Sequence, residues 1–105
     1  MNMVEEKKHL FVEDIVAGSR VSDIFVLAEK SMAHKRDGNP FLNITLADKT
    51  GRIKGVVWDN VDQIAGAANA GDFVRVAATA GEFRGAMQLV VKSLVGIDPD
   101  SVYPA

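Results

Sequence analysis

Alternating apolar and polar residues mark two neighbouring segments in the middle of the chain. In residues 41–47 every second residue is a large aliphatic one, namely Leu42, Ile44 and Leu46. Residues 52–58 alternate in the same way, and the connection between the two segments is short enough for a hairpin. The pattern therefore predicts two antiparallel β-strands, each with one buried face.

Three further segments have strand character. The longest, Arg20–His34, is rich in β-branched, aromatic and aliphatic residues, and a strand of this length must coil or bulge to stay within one small domain. Residues 73–80 and 87–97 form the other two. The connection between them, residues 81–86, is predicted to carry Phe83, Arg84 and Gly85 at its tip.

Residues 60–70 change character and predict a helix, because they are rich in alanine and place apolar residues on one helical face. Asn60 or Asp59 is a candidate N-cap, and Gly71 is a candidate terminator. The element order is then β-β-β-α-β-β, which is typical of the OB fold, a small and partly open Greek-key barrel. We therefore predict an all-β domain with small α content: a five-stranded OB-fold barrel with one helix between its third and fourth strands.

The length of 105 residues fits one domain. We assign the barrel to residues 10–98, a disordered or extended N-terminus to residues 1–9, and a tail or the start of a linker to residues 99–105. The N-terminus lacks the apolar stretch of a signal peptide, and no apolar run reaches membrane-spanning length. We therefore expect a cytoplasmic protein that does not contact membranes.

The residue types that catalysis requires are sparse. Cysteine is absent, which excludes disulfides, thiolate zinc sites and cysteine nucleophiles. The carboxylates are scattered, the nine glycines form no phosphate-binding loop, and neither a nucleophile elbow nor a metal-ligand cluster is present. We predict a chain with no catalytic residues, no metal site and no cofactor.

Charge limits the kind of partner. The formal net charge of −2 counts against a strongly electrostatic nucleic-acid binder. Acidic residues concentrate near the two ends, however, and residues 30–92 carry an excess of three positive charges. We therefore expect a local basic groove on a protein that is not basic overall.

Five short segments carry a resemblance to a known family. In chain order they are Gly38–Leu42, Leu46–Gly51, Val57–Asp59, Gly71–Val76 and Gln88–Val91. Together they resemble the N-terminal OB domain of YhaM-type 3′-5′ exoribonucleases, within the wider group related to tRNA anticodon-binding domains. In the fuller members an HD-type metal-dependent phosphohydrolase domain follows, but here neither His9 nor His34 is followed by aspartate. The resemblance thus implies binding of RNA or single-stranded DNA, and not catalysis.

Single-stranded nucleic acid is held by bases stacked on aromatic faces and by a positive groove along the phosphates. In OB domains the usual surface is the outer face of the second and third strands, rimmed by the first–second and fourth–fifth connections. On this basis we select nine candidate binding residues, which are Lys35, Arg36, Phe41, Asn43, Lys54, Trp58, Phe83, Arg84 and Gln88.

The candidates on the strands each have a plainer alternative. Phe41 faces away from the core and either stacks on a base or packs on a neighbouring loop. Asn43 and Thr45 share its face and either bind base edges or face solvent. Lys54, expected beside one of them, contacts a phosphate or only adds solubility. Trp58 stacks on a base or packs under the helix, and we favour the second interpretation.

The candidates on the loops have alternatives as well. Lys35 and Arg36 either close over a bound strand or belong to a solvated loop. Phe83 and Arg84 form a clamp at the hairpin tip, unless Phe83 covers the end of the barrel. We also consider a placement of Arg75 opposite Gln88 across the last hairpin.

Three functions are compatible with these observations. The first is a module that binds single-stranded nucleic acid, RNA in preference to DNA, without catalysis. The second is a protein-interaction or oligomerisation module, because a fold alone does not determine function. The third is an accessory part of a nuclease whose HD-type hydrolase domain lies elsewhere in a parent protein or on a partner chain.

Overall fold

Five long strands close into a barrel in the computed structural model, which describes residues 6–7, 10–98 and 102–103. The strands are β2 (Arg20–His34), β3 (Pro40–Asp48), β4 (Gly51–Val57), β5 (Phe73–Phe83) and β6 (Ala86–Gly96). Two short strands, β1 (Glu6–Lys7) and β7 (Val102–Tyr103), pair in parallel as a separate sheet. The barrel order is β2-β3-β4-β6-β5, so the predicted five-stranded OB barrel is confirmed and is closed.

The long strand β2 contributes to both halves of the barrel. Residues 20–26 pair with β5, and residues 26–34 pair with β3. The register shifts between Leu27 and Glu29, which is the bulge that a strand of this length requires. Past the bulge, Lys30 pairs with the core residue Ile44 and shares its inner side, so its Nζ donates to the carbonyl oxygens of Ala65 and Ala68 at 2.7 and 2.8 Å.

The core lies inside the barrel, and Leu42, Ile44 and Leu46 are buried in it as the alternation predicts. The barrel closes where β4 and β6 pair in parallel, at residues 54–56 and 88–90. Gly55 faces inward there, and a Cβ atom at this position would lie 3.0 Å from Ile44 Cγ1 and 3.2 Å from Val91 Cγ2. A side chain at this position would therefore force the Ile44 and Val91 side chains to shift by a few tenths of an ångström.

The helix is shorter than predicted. The helix α1 spans Val61–Ala65, and Gly66 is its C-cap, donating its N–H to Asp62 O. Asn60 occupies the N-cap position, but its φ of 55° is left-handed and its side chain makes no capping hydrogen bond. Glycine has low helix propensity, so the helix ends at Gly66 and the prediction of termination at Gly71 is wrong. Asn60 holds the N-cap position as one of the two predicted candidates, although its side chain does not cap the helix.

The last hairpin is tighter than predicted. Strand β5 continues through Phe83 and β6 begins at Ala86, so the connection is only Arg84 and Gly85 rather than residues 81–86. Both residues have positive φ, 53° and 80°, as a two-residue type I′ hairpin turn requires. In this register Arg75 pairs with Val95 and Gln88 with Gly81, so the placement of Arg75 opposite Gln88 is wrong.

Two carboxylates hold the segment that enters the barrel. Asp23, 4% exposed, accepts the Leu10 N–H at 2.6 Å, and Asp48 accepts the Val12 N–H at 2.8 Å. Apart from strands β1 and β7, the predicted N-terminus (1–9) and tail (99–105) lie outside the described residues. Of the helices in the described ranges, none has the length and apolar character needed to cross a membrane.

Candidate nucleic-acid interface

A groove of about 470 Å³ crosses the outer face of β3, β4 and β6. Its lining is Phe41, Asn43, Val56, Trp58, Gly81, Glu82, Phe83, Gln88 and Val90. Val56 pairs with Asn43 on one side and with Val90 on the other, and it is only 3% exposed although it faces outward. It therefore forms an apolar floor beneath the aromatic side chains, and five of the nine predicted residues line this groove.

Two aromatic rings form one wall of the groove. The ring centroids of Phe41 and Trp58 lie 5.0 Å apart at an interplanar angle of 35°. Trp58 is 43% exposed, and Lys35 Nζ lies 5.8 Å from its ring centroid. The prediction that Trp58 packs under the helix is wrong, because the alternation of β4 carries it to the outer side beside Phe41.

A third aromatic residue enters the groove from the last hairpin. Phe83 ends β5 directly before the tight turn and is 61% exposed. It lines the groove rather than covering the end of the barrel. The guanidinium carbon of Arg84 lies 5.4 Å from the Phe83 ring centroid, so a cation accompanies this aromatic as well.

A polar pocket of about 230 Å³ adjoins the groove and shares Asn43 and Gln88 with it. Its other lining residues are Glu29, Ser31, Ile44, Thr45, Lys54 and Gly55. Lys54 pairs directly with Thr45 on β3, one of its two predicted neighbours, and with Gln88 on β6. Lys54 therefore lies in the polar pocket and not in the aromatic groove.

The loop between β2 and β3 positions Lys35 beside the Trp58 ring. The Lys35 N–H donates to Asn39 O at 2.8 Å, and the Asn39 N–H donates to Asp37 Oδ1 at 2.9 Å. The latter hydrogen bond stabilises the carboxylate and lowers the pKa of Asp37 below its ordinary value. Arg36 is exposed in the same loop, and neither Lys35 nor Arg36 is among the residues that line the groove.

Residues 19–95 match a family described as the OB-fold nucleic acid binding domain, of the tRNA anticodon type. The chain belongs to this family. The matched region takes in all of β3, β4 and β5 and so includes the strands that carry the aromatic groove.

The chain is also similar in sequence to a curated exoribonuclease. The 3′-5′ exoribonuclease YhaM of Halalkalibacterium halodurans is 27% identical over 77 residues, which are 73% of this chain. The OB domain spans only 24% of that protein's length.

Solved structures share the fold at low sequence identity. The second OB-fold domain of replication protein A from Methanococcus maripaludis has a TM-score of 0.62 at 16% identity, covering 83% of this chain and 92% of that one. The mitochondrial single-stranded DNA binding protein Rim1 of S. cerevisiae has a TM-score of 0.66 at 17% identity, covering 79% and 97%. At these identities the likeness shows the OB architecture alone.

Several residues of this OB surface were missed by the sequence analysis. Val56 could have been predicted, because the alternation along β4 places it on the same outward side as Lys54 and Trp58. The side of β2 on which Glu29 and Ser31 lie depends on the bulge after Leu27, and the sequence does not locate that bulge. These two residues were therefore not predictable.

A second cleft lies apart from the groove and is largely apolar. It measures about 400 Å³, and its lining is Phe11, Ile24, Phe25, Val26, Ala28, Ala47, Asp48, Lys49, Arg52 and Phe73. It contains none of the nine predicted binding residues. Within the part of the chain that the structure describes, no three histidine or carboxylate side chains come together as a metal site.

Proposed function

We propose that this OB domain binds single-stranded nucleic acid, RNA in preference to DNA, through the aromatic groove and without catalytic activity. One observation carries the proposal: Phe41, Trp58 and Phe83 line a single groove. Bases of any sequence stack on such rings. The groove lies on the face that OB domains use, and the flanking loops supply Lys35 and Arg84 beside the rings.

The preference for RNA over DNA is supported by the similar proteins and not by the geometry of the groove. The curated relative is named as an exoribonuclease, and the family is of the tRNA anticodon type. The structural neighbours are named for replication and for single-stranded DNA binding. The test therefore compares the affinity of the domain for RNA with its affinity for DNA.

The test is fluorescence anisotropy with labelled single strands of about 12 nucleotides, a length within the range that OB folds occupy. RNA, DNA and duplex probes are titrated at low and at physiological salt. We expect saturable binding to single strands, tighter for RNA, with a shallow loss of affinity as salt rises because few cations, Lys35 and Arg84 among them, flank the rings. Absence of binding at low salt would favour the protein-interaction or oligomerisation role instead.

A second candidate function extends the first. Similarity to YhaM favours an accessory role, in which this domain holds RNA for an HD-type hydrolase domain in a parent protein or on a partner chain. We expect the purified domain to leave labelled RNA intact in the presence of divalent cations. RNA degradation that co-elutes with the domain, and is lost in the Phe41→Ala variant, would refute the non-catalytic proposal.

A further inference from the structure

The polar pocket beside the aromatic groove is lined by charged and polar side chains that the groove does not contain. Four of its side chains, Glu29, Thr45, Lys54 and Gln88, form one row across β2, β3, β4 and β6 by direct pairing. We propose that this row reads the Watson–Crick edge of one base and selects guanine. The inference rests on the proposed single-strand binding and adds a sequence preference to it.

The row sets the spacing of the two charged groups. Glu29 and Lys54 lie on the two strands that flank β3, and neighbouring strands are about 4.8 Å apart, so their backbones are about 10 Å apart. Between them, the Thr45 hydroxyl donates to Glu29 Oε2 at 3.3 Å. This contact orients the carboxylate along the row. A carboxylate has about four lone-pair sites, so one contact to Oε2 leaves both oxygens able to accept a hydrogen bond from a ligand.

The two charged groups have opposite hydrogen-bonding roles. The Glu29 carboxylate only accepts hydrogen bonds, and the Lys54 ammonium only donates them. Guanine carries two adjacent donors, N1–H and the N2 amino group, at one end of its Watson–Crick edge and the acceptor O6 at the other. A guanine edge laid along the row therefore places its donors at Glu29 and its acceptor at Lys54.

The other bases do not match the row. Uracil has a single donor between two acceptor oxygens, so one oxygen would face the Glu29 carboxylate. Cytosine and adenine each present one exocyclic amino group next to an acceptor nitrogen, and so supply one donor where guanine supplies two. Their binding would leave part of the row without a partner, which costs affinity.

A phosphate is a poorer occupant than a base. The Glu29 carboxylate would repel it, whereas Lys35 and Arg84 stand beside the rings of the groove where the backbone of a stacked strand would run. The pocket also shares Asn43 and Gln88 with the aromatic groove. One strand can therefore place a base in the pocket while its neighbours stack on the rings.

The test uses uridine-rich RNA probes that differ at one central position, which holds guanine, inosine, adenine, cytosine or uracil. Inosine lacks the N2 amino group and retains N1–H and O6. By anisotropy we expect the guanine probe to bind about tenfold more tightly than the adenine, cytosine and uracil probes, with inosine between them.

Two matched variants assign the preference to one carboxylate. Glu29→Gln should remove the difference between the guanine and inosine probes. Glu82→Gln removes the same charge from the lining of the neighbouring groove and should raise affinity for every probe while keeping the guanine preference. Circular dichroism and urea unfolding of both variants verify that the barrel is intact.

The outcomes separate this inference from the proposed function. If no probe binds, the proposed function fails and the inference fails with it. If all probes bind with equal affinity, single-strand binding stands and the inference is refuted. A difference between the guanine and inosine probes that survives in Glu29→Gln also refutes it.

Discussion

Phe41 and Trp58 stack against each other across two adjacent strands, with ring centroids 5.0 Å apart and an interplanar angle of 35°. Their contact follows from the antiparallel register, because Leu42 pairs with Val57 and the adjacent residues Phe41 and Trp58 therefore lie opposite each other. Trp58 nevertheless remains 43% exposed. The pair is held in place by its own contact and still presents aromatic surface to the groove, which is the geometry that a base-stacking platform requires.

The first prediction concerns this aromatic pair. Phe41→Ala should weaken binding of single-stranded RNA by about 1–3 kcal/mol, the usual contribution of one base–aromatic stack. Phe41→Leu fills most of the same volume without an aromatic face, so it should lose a similar share of affinity while unfolding at a urea midpoint closer to the wild type. Anisotropy and urea unfolding measure the two effects.

The control for this prediction is Val95→Ala. Val95 is 52% exposed on β6 and is not among the residues that line the groove. Its truncation should leave affinity unchanged. Equal affinities for Phe41→Ala and the wild type would contradict the stacking role.

The second prediction concerns the two cations beside the rings. If Lys35 and Arg84 each contact one phosphate, each alanine variant should reduce the slope of log affinity against log salt by about 0.7. Lys49→Ala is the matched control, since Lys49 lines the apolar cleft and not the groove. Salt titrations of the three variants check the prediction, and equal slopes for all three would rule out a phosphate contact at either cation.

The third prediction concerns Asp37 in the loop that carries Lys35. The hydrogen bond from the Asn39 N–H lowers the pKa of Asp37. The ionised carboxylate therefore contributes fully to the stability of the turn at any pH above the ordinary carboxyl pKa. This contribution is lost only as the pH falls through the lowered pKa. Asp37 therefore stays ionised at pH 5, and its titration should not change wild-type affinity between pH 7 and pH 5.

Asp37→Asn tests the same carboxylate directly. Asparagine keeps an oxygen that accepts the Asn39 N–H and removes a negative charge from the loop that carries Lys35, a proposed phosphate contact. We expect tighter binding of RNA at low salt and a smaller gain at physiological salt, where exposed charges are screened. Weaker binding of this variant at low salt would mean that the charge of Asp37 supports the interface.

The sequence predicted the parts of the fold and site that depend on alternation within one strand. Leu42, Ile44 and Leu46 face the core, and Phe41 faces outward, because successive residues of a strand point to opposite sides. With a simple hairpin register the sequence also placed Lys54 beside Asn43 or Thr45, and the structure pairs it with Thr45. The core residues and Phe41 needed only the local pattern, whereas the neighbour of Lys54 also depended on the hairpin register.

Features set by contacts between elements were not predictable in this way. Arg84 adopts a left-handed conformation although it is not glycine, because the two-residue turn between β5 and β6 demands it. Trp58 was expected under the helix, but α1 begins only at Val61 and the ring packs on Phe41 instead. After the bulge in β2, Lys30 points toward the carbonyl oxygens of Ala65, the last residue of α1, and of Ala68 beyond it, which removes one of the cations counted toward a basic groove.

The fourth prediction concerns closure of the barrel at Gly55. Gly55→Ala should destabilise the domain by about 1–3 kcal/mol, because the added methyl group meets Ile44 and Val91 in a packed core. Gly81→Ala is the matched control, since a Cβ at position 81 meets nothing within 4 Å and its φ is not positive. Urea unfolding compares the two variants, and equal midpoints would show that the core relaxes around position 55.

The last prediction separates two lysines that the sequence does not distinguish. Lys30 donates to the carbonyl oxygens of Ala65 and Ala68, whereas Lys54 lines the polar pocket on the outer face. Lys30→Met leaves two carbonyl groups without their donor, so it should cost about 1–3 kcal/mol of stability and leave RNA affinity unchanged once the protein is folded. Lys54→Met should do the reverse, weakening binding without lowering the urea midpoint. A loss of affinity in Lys30→Met, measured under conditions where it is fully folded, would place Lys30 in the interface and contradict this assignment.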